Sequence, residues 1–262
     1  MKADVIYYSA TGTTKSIAHA FAEGLCCETA FYDLTLPQER AAFTGGSGDV
    51  AVFALPVYSE RFPRFVLEIL ERIEGGDRPL IGISVYGNIG FGITLEEYQA
   101  FAARRGMRFI AAGAMIGQHT YASESSPIGL GRPDAADLEQ AREFGRRVRE
   151  KIENGDDTPA AIPKPSLPRW VADLPENGVR FLLRQPRVNS ETCNRCGACA
   201  ARCPAGAIDA QTLAIEEKKC LRCGACVQVC PRSARDMRFY TKAYEKIFAA
   251  AGKKRRENRF FL

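Results

Sequence analysis

The sequence CNRCGACAARCP at residues 193–204 recurs with the same cysteine spacing as CLRCGACVQVCP at residues 220–231. Each copy reads C-x2-C-x2-C-x3-C-P, and every cysteine of the second copy stands 27 positions after its counterpart, as 220 follows 193. The glycine after the second cysteine and the proline after the fourth coincide as well. Eight of the ten cysteines lie in these two copies, so the repeat is an internal duplication.

The spacing within each copy is that of an iron-sulfur motif. A C-x2-C-x2-C run holds three corners of a 4Fe-4S cubane, and in two-cluster proteins the fourth cysteine of each run ligates the other cluster. The sequence therefore predicts two 4Fe-4S clusters with crossed ligands. The expected ligands of cluster 1 are Cys193, Cys196, Cys199 and Cys230, and those of cluster 2 are Cys203, Cys220, Cys223 and Cys226.

Structural zinc and disulfide bonds are the alternative uses of these cysteines. Zinc sites usually pair two C-x2-C units across a longer loop, which gives no reason for a third cysteine at the same short spacing. Disulfides need an oxidising compartment, but residues 1–20 lack the basic start, apolar run and cleavage site of a secretory signal. We expect reduced thiols, a cytoplasmic protein and no membrane span, because no run of about 18 apolar residues occurs.

The part of the chain before the cysteines predicts a second, larger domain. The chain has 262 residues, 46% of them hydrophobic, and the cysteine block occupies only about its last third. Strand and helix patterns alternate before it, which is typical of an α/β fold with a parallel sheet covered on both faces. The expected strands are 4–8, 29–32, 50–55, 80–85 and 109–116, and the expected helices lie around 17–25, 65–73, 95–104 and 138–152.

The loop after the first strand is a candidate phosphate site. It reads Ser9-Ala10-Thr11-Gly12-Thr13-Thr14 and leads into the first helix, where backbone N–H groups and the positive helix terminus favour an anion. The nucleotide P-loop and the G-x-G-x-x-G dinucleotide motif are both missing. The alternative is that the hydroxyl side chains only cap the helix.

Two further loops carry a tyrosine at the same expected edge of the sheet. Pro56-Val57-Tyr58 follows the third strand and Tyr86-Gly87-Asn88 follows the fourth. Because ligands of a parallel sheet bind beyond the carboxyl ends of its strands, the two rings are placed to flank a planar ligand. The alternative is that each tyrosine is a half-buried packing residue.

These three loops make residues 1–155 resemble the flavodoxin family. The string at residues 8–14 matches the family's phosphate loop, except that many flavodoxins have Asn at the position of Thr13. The resemblance implies the strand order 2-1-3-4-5 and an FMN at the switch point. The FMN-binding residues that it implies are Ser9, Ala10, Thr11, Gly12, Thr13, Thr14, Pro56, Val57, Tyr58, Tyr86, Gly87 and Asn88.

The combination of both parts resembles the flavodoxin/ferredoxin fusion proteins of anaerobes, the EFR-family ferredoxins. We expect a flavodoxin-like domain at 1–155, a proline-rich packed linker at 156–188, a small α+β two-cluster ferredoxin domain at 189–235 and a basic tail at 236–262. The linker is expected to pack on a domain, because Trp170, Val179, Phe181, Leu182 and Leu183 would be costly to expose.

The basic tail predicts either a partner surface or a solvated helix. From residue 231 onward ten Lys and Arg face three acidic residues, so acidic electron carriers or nucleic acid are conceivable partners. The alternative, which we favour, is a solvated helix around 239–250. No base-reading module accompanies the tail, so we expect redox proteins and no nucleic acid as partners.

The function expected from this sequence is electron transfer between two 4Fe-4S clusters and FMN. A flavin holds one or two electrons and a cluster passes one at a time, so the pair links one-electron carriers to a flavin. The rival function is a ferredoxin-dependent reductase that acts on a small molecule at the flavin, with His119, Tyr121 or Tyr86 as proton donor. A regulatory redox sensor is a third possibility, which eight ligands for two coordinatively full clusters disfavour.

Overall fold

The computed structural model describes residues 1–124, 126–165, 168, 170 and 176–262. Its main sheet has the order β2-β1-β3-β4-β5-β8, and the first five of these strands are parallel. The strands are β1 Lys2–Tyr7, β2 Glu28–Asp33, β3 Val50–Pro56, β4 Pro79–Tyr86, β5 Arg108–Ile116 and β8 Arg259–Phe261. The order 2-1-3-4-5 expected from the sequence is therefore confirmed.

Helices cover both faces of this sheet, as the alternating pattern predicted. They are α1 Thr13–Leu25, α2 Pro37–Ala42, α3 Arg64–Leu70, α4 Thr94–Arg105 and α5 Ala135–Glu153. Helices α1 and α5 share one apolar core with the sheet, and α3 and α4 share the other. Gly24 and Gly145 let α1 and α5 touch, since a Cβ at Gly24 would lie 1.9 Å from the carbonyl oxygen of Arg142.

A sixth strand corrects the expectation of a five-stranded sheet. Strand β8 pairs antiparallel with β5, with Ala112 opposite Phe261 and Ala114 opposite Arg259. The tail that leads to it contains a helix, α8 Lys242–Gly252, close to the solvated helix expected around 239–250. A strand of three residues after a basic run is too short to show a periodicity, so the sequence pattern missed it.

The cysteine region forms a small α+β unit that preserves the internal repeat. Helix α6 Ala198–Ala201 follows Gly197, and helix α7 Ala225–Gln228 follows Gly224. The two glycines have φ values of 75° and 72°, a left-handed conformation that glycine adopts without a Cβ penalty. A two-stranded ladder of β6 Arg187–Val188 and β7 Arg235–Asp236 completes the unit.

The linker packs on the protein only in part. Ala160 is 5% exposed and its N–H donates to the carbonyl of Phe109 (2.9 Å), while Leu183 is 1% exposed. Trp170 is 60% exposed and Phe181, in a 3-10 helix over Glu176–Phe181, is 78% exposed, so the expectation that their burial drives packing is wrong. The linker prediction also covers residues 166, 167, 169 and 171–175, which lie outside the described residues.

Within the described residues, the longest helices are too short or too polar to cross a membrane.

Candidate cofactor sites

A cavity of about 300 Å³ opens at the carboxyl ends of β1, β3, β4 and β5. It lies there because the loops after parallel strands emerge at one edge of the sheet. The structure brings nine of the twelve predicted flavin-site residues to this cavity. They are Ala10, Thr11, Thr13, Thr14, Pro56, Val57, Tyr58, Tyr86 and Gly87. We call this cavity the flavin pocket, after the ligand that the flavodoxin resemblance implies for it.

The loop after β1 both bonds the first turn of α1 and lines the flavin pocket. Ser9 does not line the flavin pocket; its hydroxyl accepts a hydrogen bond from the backbone N–H of Lys15 (3.0 Å), in the first turn of α1. Gly12, which also does not line the pocket, is the N-cap residue with φ 89°. The hydroxyls of Thr11 and Thr13 lie 3.1 Å apart at the pocket wall. The Ser9 hydroxyl thus bonds an N–H of the first helical turn, and Thr11, Thr13 and Thr14 line the pocket.

Asn88 also lies outside the pocket wall, because its side chain holds the C-terminal tail. Its amide nitrogen donates to the carbonyl oxygens of Gly252 (2.7 Å) and Lys254 (2.9 Å). Its amide oxygen accepts from the N–H of Arg256 (3.0 Å). The side chain therefore bonds three backbone groups of the tail.

The two tyrosines expected beside a planar ligand are largely removed from water. Tyr86 is 3% exposed and meets Phe91 edge to face, with ring centroids 5.5 Å apart. Tyr58 meets Tyr8 in the same way at 6.2 Å. Burial is the main cause that raises the pKa of both tyrosine hydroxyls. The pKa of Tyr58 lies well above its ordinary value and that of Tyr86 is also raised, so both hydroxyls are neutral near pH 7.

The loop after β5 supplies a wall of the pocket, although its residues His119 and Tyr121 were expected there only in the rival function. His119 and Tyr121 both line the pocket, and the Nδ1 of His119 accepts from the N–H of Tyr121 (3.1 Å). A Cβ at Gly87 would lie 2.2 Å from the His119 ring, so only glycine lets this ring lie against the end of β4. Burial lowers the pKa of His119 to about 4.

Residues 176–252, which we call the C-terminal unit, line another side of the pocket, which the sequence pattern did not predict. Val179, Leu182, Leu221, Cys223 and Phe248 all line it. The rule that ligands lie at the strand ends places the β-strand loops, but it says nothing of a second unit packed over them. A duplicated cysteine motif carries no signal for which of its copies faces the sheet.

The eight motif cysteines line two separate cavities, four to each. One cavity is lined by Cys193, Cys196, Cys199 and Cys230, and the other by Cys203, Cys220, Cys223 and Cys226. We call these the first and the second cysteine cavity. The fourth cysteine of each motif lies in the cavity of the other motif.

Backbone amides in these loops point at sulfur in both copies of the repeat. The N–H of Ala207 lies 3.2 Å from the Sγ of Cys203, and the N–H of Ala234 lies 3.2 Å from the Sγ of Cys230. Hydrogen bonds to cluster sulfurs are among the features that set reduction potentials. Four thiols around each cavity, with amides directed at them, fit a 4Fe-4S cluster.

The second cysteine cavity adjoins the flavin pocket, and Cys223 and Leu221 line both. Three contacts hold this side of the C-terminal unit. Arg40 donates from Nη2 to the carbonyl of Pro204 (2.7 Å), and the hydroxyl of Tyr121 donates to the carbonyl of Arg222 (3.0 Å). A Cβ at Gly224 would lie 2.4 Å from the Cγ2 of Thr120, so the backbone of the second motif touches the loop after β5.

The two motifs differ at equivalent arginines. Arg222 is 1% exposed and pairs with Glu217, and its Nε and Nη1 have no hydrogen-bond partner among the described residues. Arg195, one repeat earlier, is exposed and donates to the carbonyl of Gln211 (2.6 Å). The second cysteine cavity thus has a buried cation beside it at a position where the first has a solvated one.

Residues 185–231 match the family model described as "4Fe-4S dicluster domain". The Ferredoxin-type protein NapF of Escherichia coli strain K12 is 62% identical over 29 residues, 11% of this chain and 18% of that protein. The chain thus spans about a fifth of the length of the curated relatives that it matches.

Solved structures similar to this chain cover its N-terminal half. A WrbA-like flavodoxin from Agrobacterium tumefaciens is 20% identical over 58% of this chain and 98% of its own, with a TM-score of 0.41. An archaeal flavodoxin is 15% identical over 58% and 99%, with a TM-score of 0.42. The fold assignment itself rests on the strand order. The chain joins a sheet with the flavodoxin strand order to a 4Fe-4S dicluster domain, which fits a flavodoxin/ferredoxin fusion.

Proposed function

We propose that this protein transfers electrons between an FMN in the flavin pocket and two 4Fe-4S clusters in the cysteine cavities. The observation that carries the proposal is that Cys223 lines both the flavin pocket and the second cysteine cavity. A ligand of one redox centre would therefore form part of the wall around another. Bound FMN would hold one or two electrons and each cluster one, which links one-electron carriers to a flavin.

The volume and the lining of the flavin pocket support FMN as its ligand. Its volume of about 300 Å³ lies at the lower end of the range for ligand pockets, roughly 300 to 1,000 Å³. Thr11, Thr13 and Thr14 stand at the N-terminus of α1, where a phosphate is stabilised by the helix dipole and free N–H groups. Tyr58, Tyr86 and the other predicted pocket residues would surround the ring.

A buried hydroxyl without a partner also supports a polar ligand near the second cysteine cavity. Tyr8 is fully buried, and its hydroxyl has no hydrogen-bond partner in the part of the chain that the structure describes. Buried polar groups are normally hydrogen-bonded, so this hydroxyl is available to a polar ligand or to the neighbouring hydroxyl of Tyr58. Tyr8 packs in the same apolar cluster as Tyr58 and Cys223, which both line the flavin pocket.

The crossed assignment of the cysteines is part of the proposal. Cys193, Cys196, Cys199 and Cys230 would hold cluster 1, and Cys203, Cys220, Cys223 and Cys226 would hold cluster 2. Its support is that each set of four lines one cavity. The proposed domains are 1–155, 189–235 and the tail at 236–262, joined by the linker at 156–188, in a cytoplasmic protein that serves other redox proteins.

The rival function, direct reduction of a small molecule, has little support from two of its three candidate proton donors, His119 and Tyr121. A proton donor is needed beside the flavin, and the hydroxyl of Tyr121 already donates to the carbonyl of Arg222. His119 has its pKa lowered to about 4 by burial, so it carries no transferable imidazolium proton near pH 7. Turnover with reduced ferredoxin and a panel of small acceptors would separate the two functions.

Cofactor analysis of anaerobically purified protein tests the proposal. We expect about eight iron and eight sulfide per chain, the content of two full cubanes, and one FMN released on denaturation. Zinc in place of iron would contradict the cluster assignment. Iron without flavin would contradict the FMN assignment and leave a two-cluster protein.

A further inference from the structure

A groove of about 660 Å³ runs along the side of the C-terminal unit, apart from the flavin pocket. Three arginines and one aspartate supply its charged groups: Arg184, Arg187, Arg238 and Asp236. All three arginines are exposed. We call this the basic groove.

The charge of the groove is only partly neutralised. Arg238 forms an ion pair with Asp236. Arg184 lies over the ring of Tyr240, with its guanidinium carbon 4.9 Å from the ring centroid. Among the residues that the structure describes, neither Arg184 nor Arg187 has a carboxylate oxygen within 4.0 Å. Two guanidinium groups therefore face solvent in the groove without an acidic partner.

The backbone that carries these arginines is hydrogen-bonded along its length. Arg187 pairs with Asp236 in the β6–β7 ladder. The ladder continues outward, because the N–H of Arg184 donates to the carbonyl of Arg238 (2.9 Å). A ladder of this kind holds the arginines at fixed spacing, which lowers the entropy lost when a partner binds.

The groove lies directly beside the first cysteine cavity. Val188 and Ala234 line both. In that cavity Cys196 is exposed to solvent, whereas no residue of the cavity lines the flavin pocket. Of the two proposed cluster sites, this one faces outward and the other faces the flavin pocket. A protein docked in the groove would be separated from cluster 1 by little more than the side chains of Val188 and Ala234.

We propose that the basic groove is the docking site of an acidic one-electron carrier protein, which exchanges electrons at the cluster site of Cys193, Cys196, Cys199 and Cys230. The proposal rests on the proposed function. One electron leaves the carrier's redox centre and one arrives at this cluster, or the reverse, and no bond or proton is transferred. Unpaired arginines beside the outward cluster complement a carboxylate-rich surface, and such charge pairs mainly raise the association rate and orient the partner.

The test uses charge reversal at the groove with a matched reversal elsewhere. The groove variant is Arg184→Glu with Arg187→Glu. The control is Lys253→Glu with Lys254→Glu, two exposed cations of the tail, which changes the net charge by the same amount. The probe is a small acidic bacterial ferredoxin in its oxidised form, titrated at low ionic strength into the anaerobic full-length protein. The readouts are the Kd and the amide hydrogen exchange at residues 184–189 and 233–239.

We expect wild-type protein to bind the ferredoxin, with protection of these two segments and weaker binding as salt is added. The groove variant should bind at least about tenfold more weakly, and the control within about twofold of wild type. Equal weakening in both variants, protection elsewhere, or no binding by the wild type would overturn the proposal.

The same samples separate a failure of docking from a failure of the proposed function. Iron, sulfide and FMN are counted in each, and flavin bleaching is followed after reduction with a neutral photochemical reductant. Full cofactor content with flavin bleaching, but no ferredoxin footprint in the groove, rejects the docking site alone. Missing cofactors would reject the proposed function itself.

Discussion

Cys203 belongs to the first motif in sequence, but it lines the cavity that the second motif forms. Cys230 shows the reverse exchange, since it lines the cavity of the first motif. The two positions are related by the internal repeat, and each thiol accepts one amide hydrogen bond at 3.2 Å. They are therefore a matched pair for testing the crossed assignment.

We predict that Cys203→Ala perturbs the cluster held by Cys220, Cys223 and Cys226 and leaves the other intact. Cys230→Ala should do the opposite, because each substitution removes one ligand of the cluster formed by the other motif. Electron paramagnetic resonance of the reduced proteins distinguishes the two clusters. Damage in each variant confined to the cluster of its own motif would refute the crossing.

The threonines at the start of α1 give a prediction for FMN. Thr14 is 2% exposed and lines the flavin pocket with Thr11. A hydrogen bond to a charged group contributes roughly 1.5 to 3 kcal/mol, so Thr11→Val with Thr14→Val should weaken FMN binding by about a hundredfold or more. Riboflavin, which lacks the phosphate, should bind both proteins alike. Unchanged FMN affinity in the folded variant would mean that these hydroxyls do not bind the phosphate.

The burial of His119 gives a prediction for pH. Its folded-state pKa is about 4, below the ordinary value of 6.5, so between these values the unfolded chain takes up a proton that the folded protein does not. Stability is therefore full above pH 6.5 and is lost as the pH falls. The expected loss between pH 7.5 and 5 is about 2 kcal/mol of unfolding free energy.

Denaturant unfolding of wild type and His119→Gln, under anaerobic conditions at both pH values, measures that loss. Other titrating groups are the same in the two proteins, so the difference between their pH dependences isolates His119. The variant should lose about 2 kcal/mol less than wild type over this interval. Parallel curves would show that His119 is protonated in the folded protein as readily as in the unfolded chain.

At the scale of elements, the sequence predicted the regular part of the fold. Strand β4 was expected at 80–85 and spans Pro79–Tyr86, and α5 was expected at 138–152 and spans Ala135–Glu153. Long apolar runs and helical periodicity result from burial of strands and helices in the core, so these elements can be recognised from a single sequence. Helix α2 at Pro37–Ala42 and strand β8 were missed because each is shorter than the stretch over which periodicity is recognised, about 11 residues for a helix and about 4 for a strand.

The part of the candidate site that the strand-end loops form could be predicted from the sequence. The part that depends on packing of the C-terminal unit against those loops could not. Thr11, Tyr58 and Tyr86 meet at one pocket because parallel strands end together. Asn88 occupies the expected loop, yet its side chain bonds Gly252 and Lys254, more than 160 residues away. No local pattern encodes a partner at that separation, and the same holds for Cys223 at the pocket wall.

The tail's attachment through Asn88 gives a prediction of its own. Asn88→Ala removes three hydrogen bonds and leaves two carbonyls of the tail without their donor, which should cost about 2 to 4 kcal/mol. Amide exchange over residues 252–261 should accelerate, because the link between β4 and the tail is lost. Asn154→Ala, at an exposed residue after α5, serves as the control. Equal exchange in both variants would show that the other contacts of the tail, β8 pairing and the Asn258 side chain among them, hold it without Asn88.

At the scale of the whole molecule, four sites follow one another from the sheet to the surface. The flavin pocket shares Cys223 with the second cysteine cavity, and helix α7 of the second motif contacts α6 of the first. The first cysteine cavity borders the basic groove. The chain bonds to β5 both before and after the C-terminal unit. Before it, the N–H of Ala160 donates to the carbonyl of Phe109, and after it, β8 pairs with β5. With the proposed cofactors in these sites, the order would be flavin, cluster 2, cluster 1.

Diffraction at the iron absorption edge, from crystals of anaerobically purified protein with bound flavin, tests this order most directly. The account predicts two four-iron peaks, one bounded by Cys203, Cys220, Cys223 and Cys226 and the other by Cys193, Cys196, Cys199 and Cys230. Flavin density should fill the pocket between Thr11 and Tyr86, closer to the first of these peaks. Single-metal peaks, or a flavin bound nearer to the cluster of Cys193 than to that of Cys223, would contradict it.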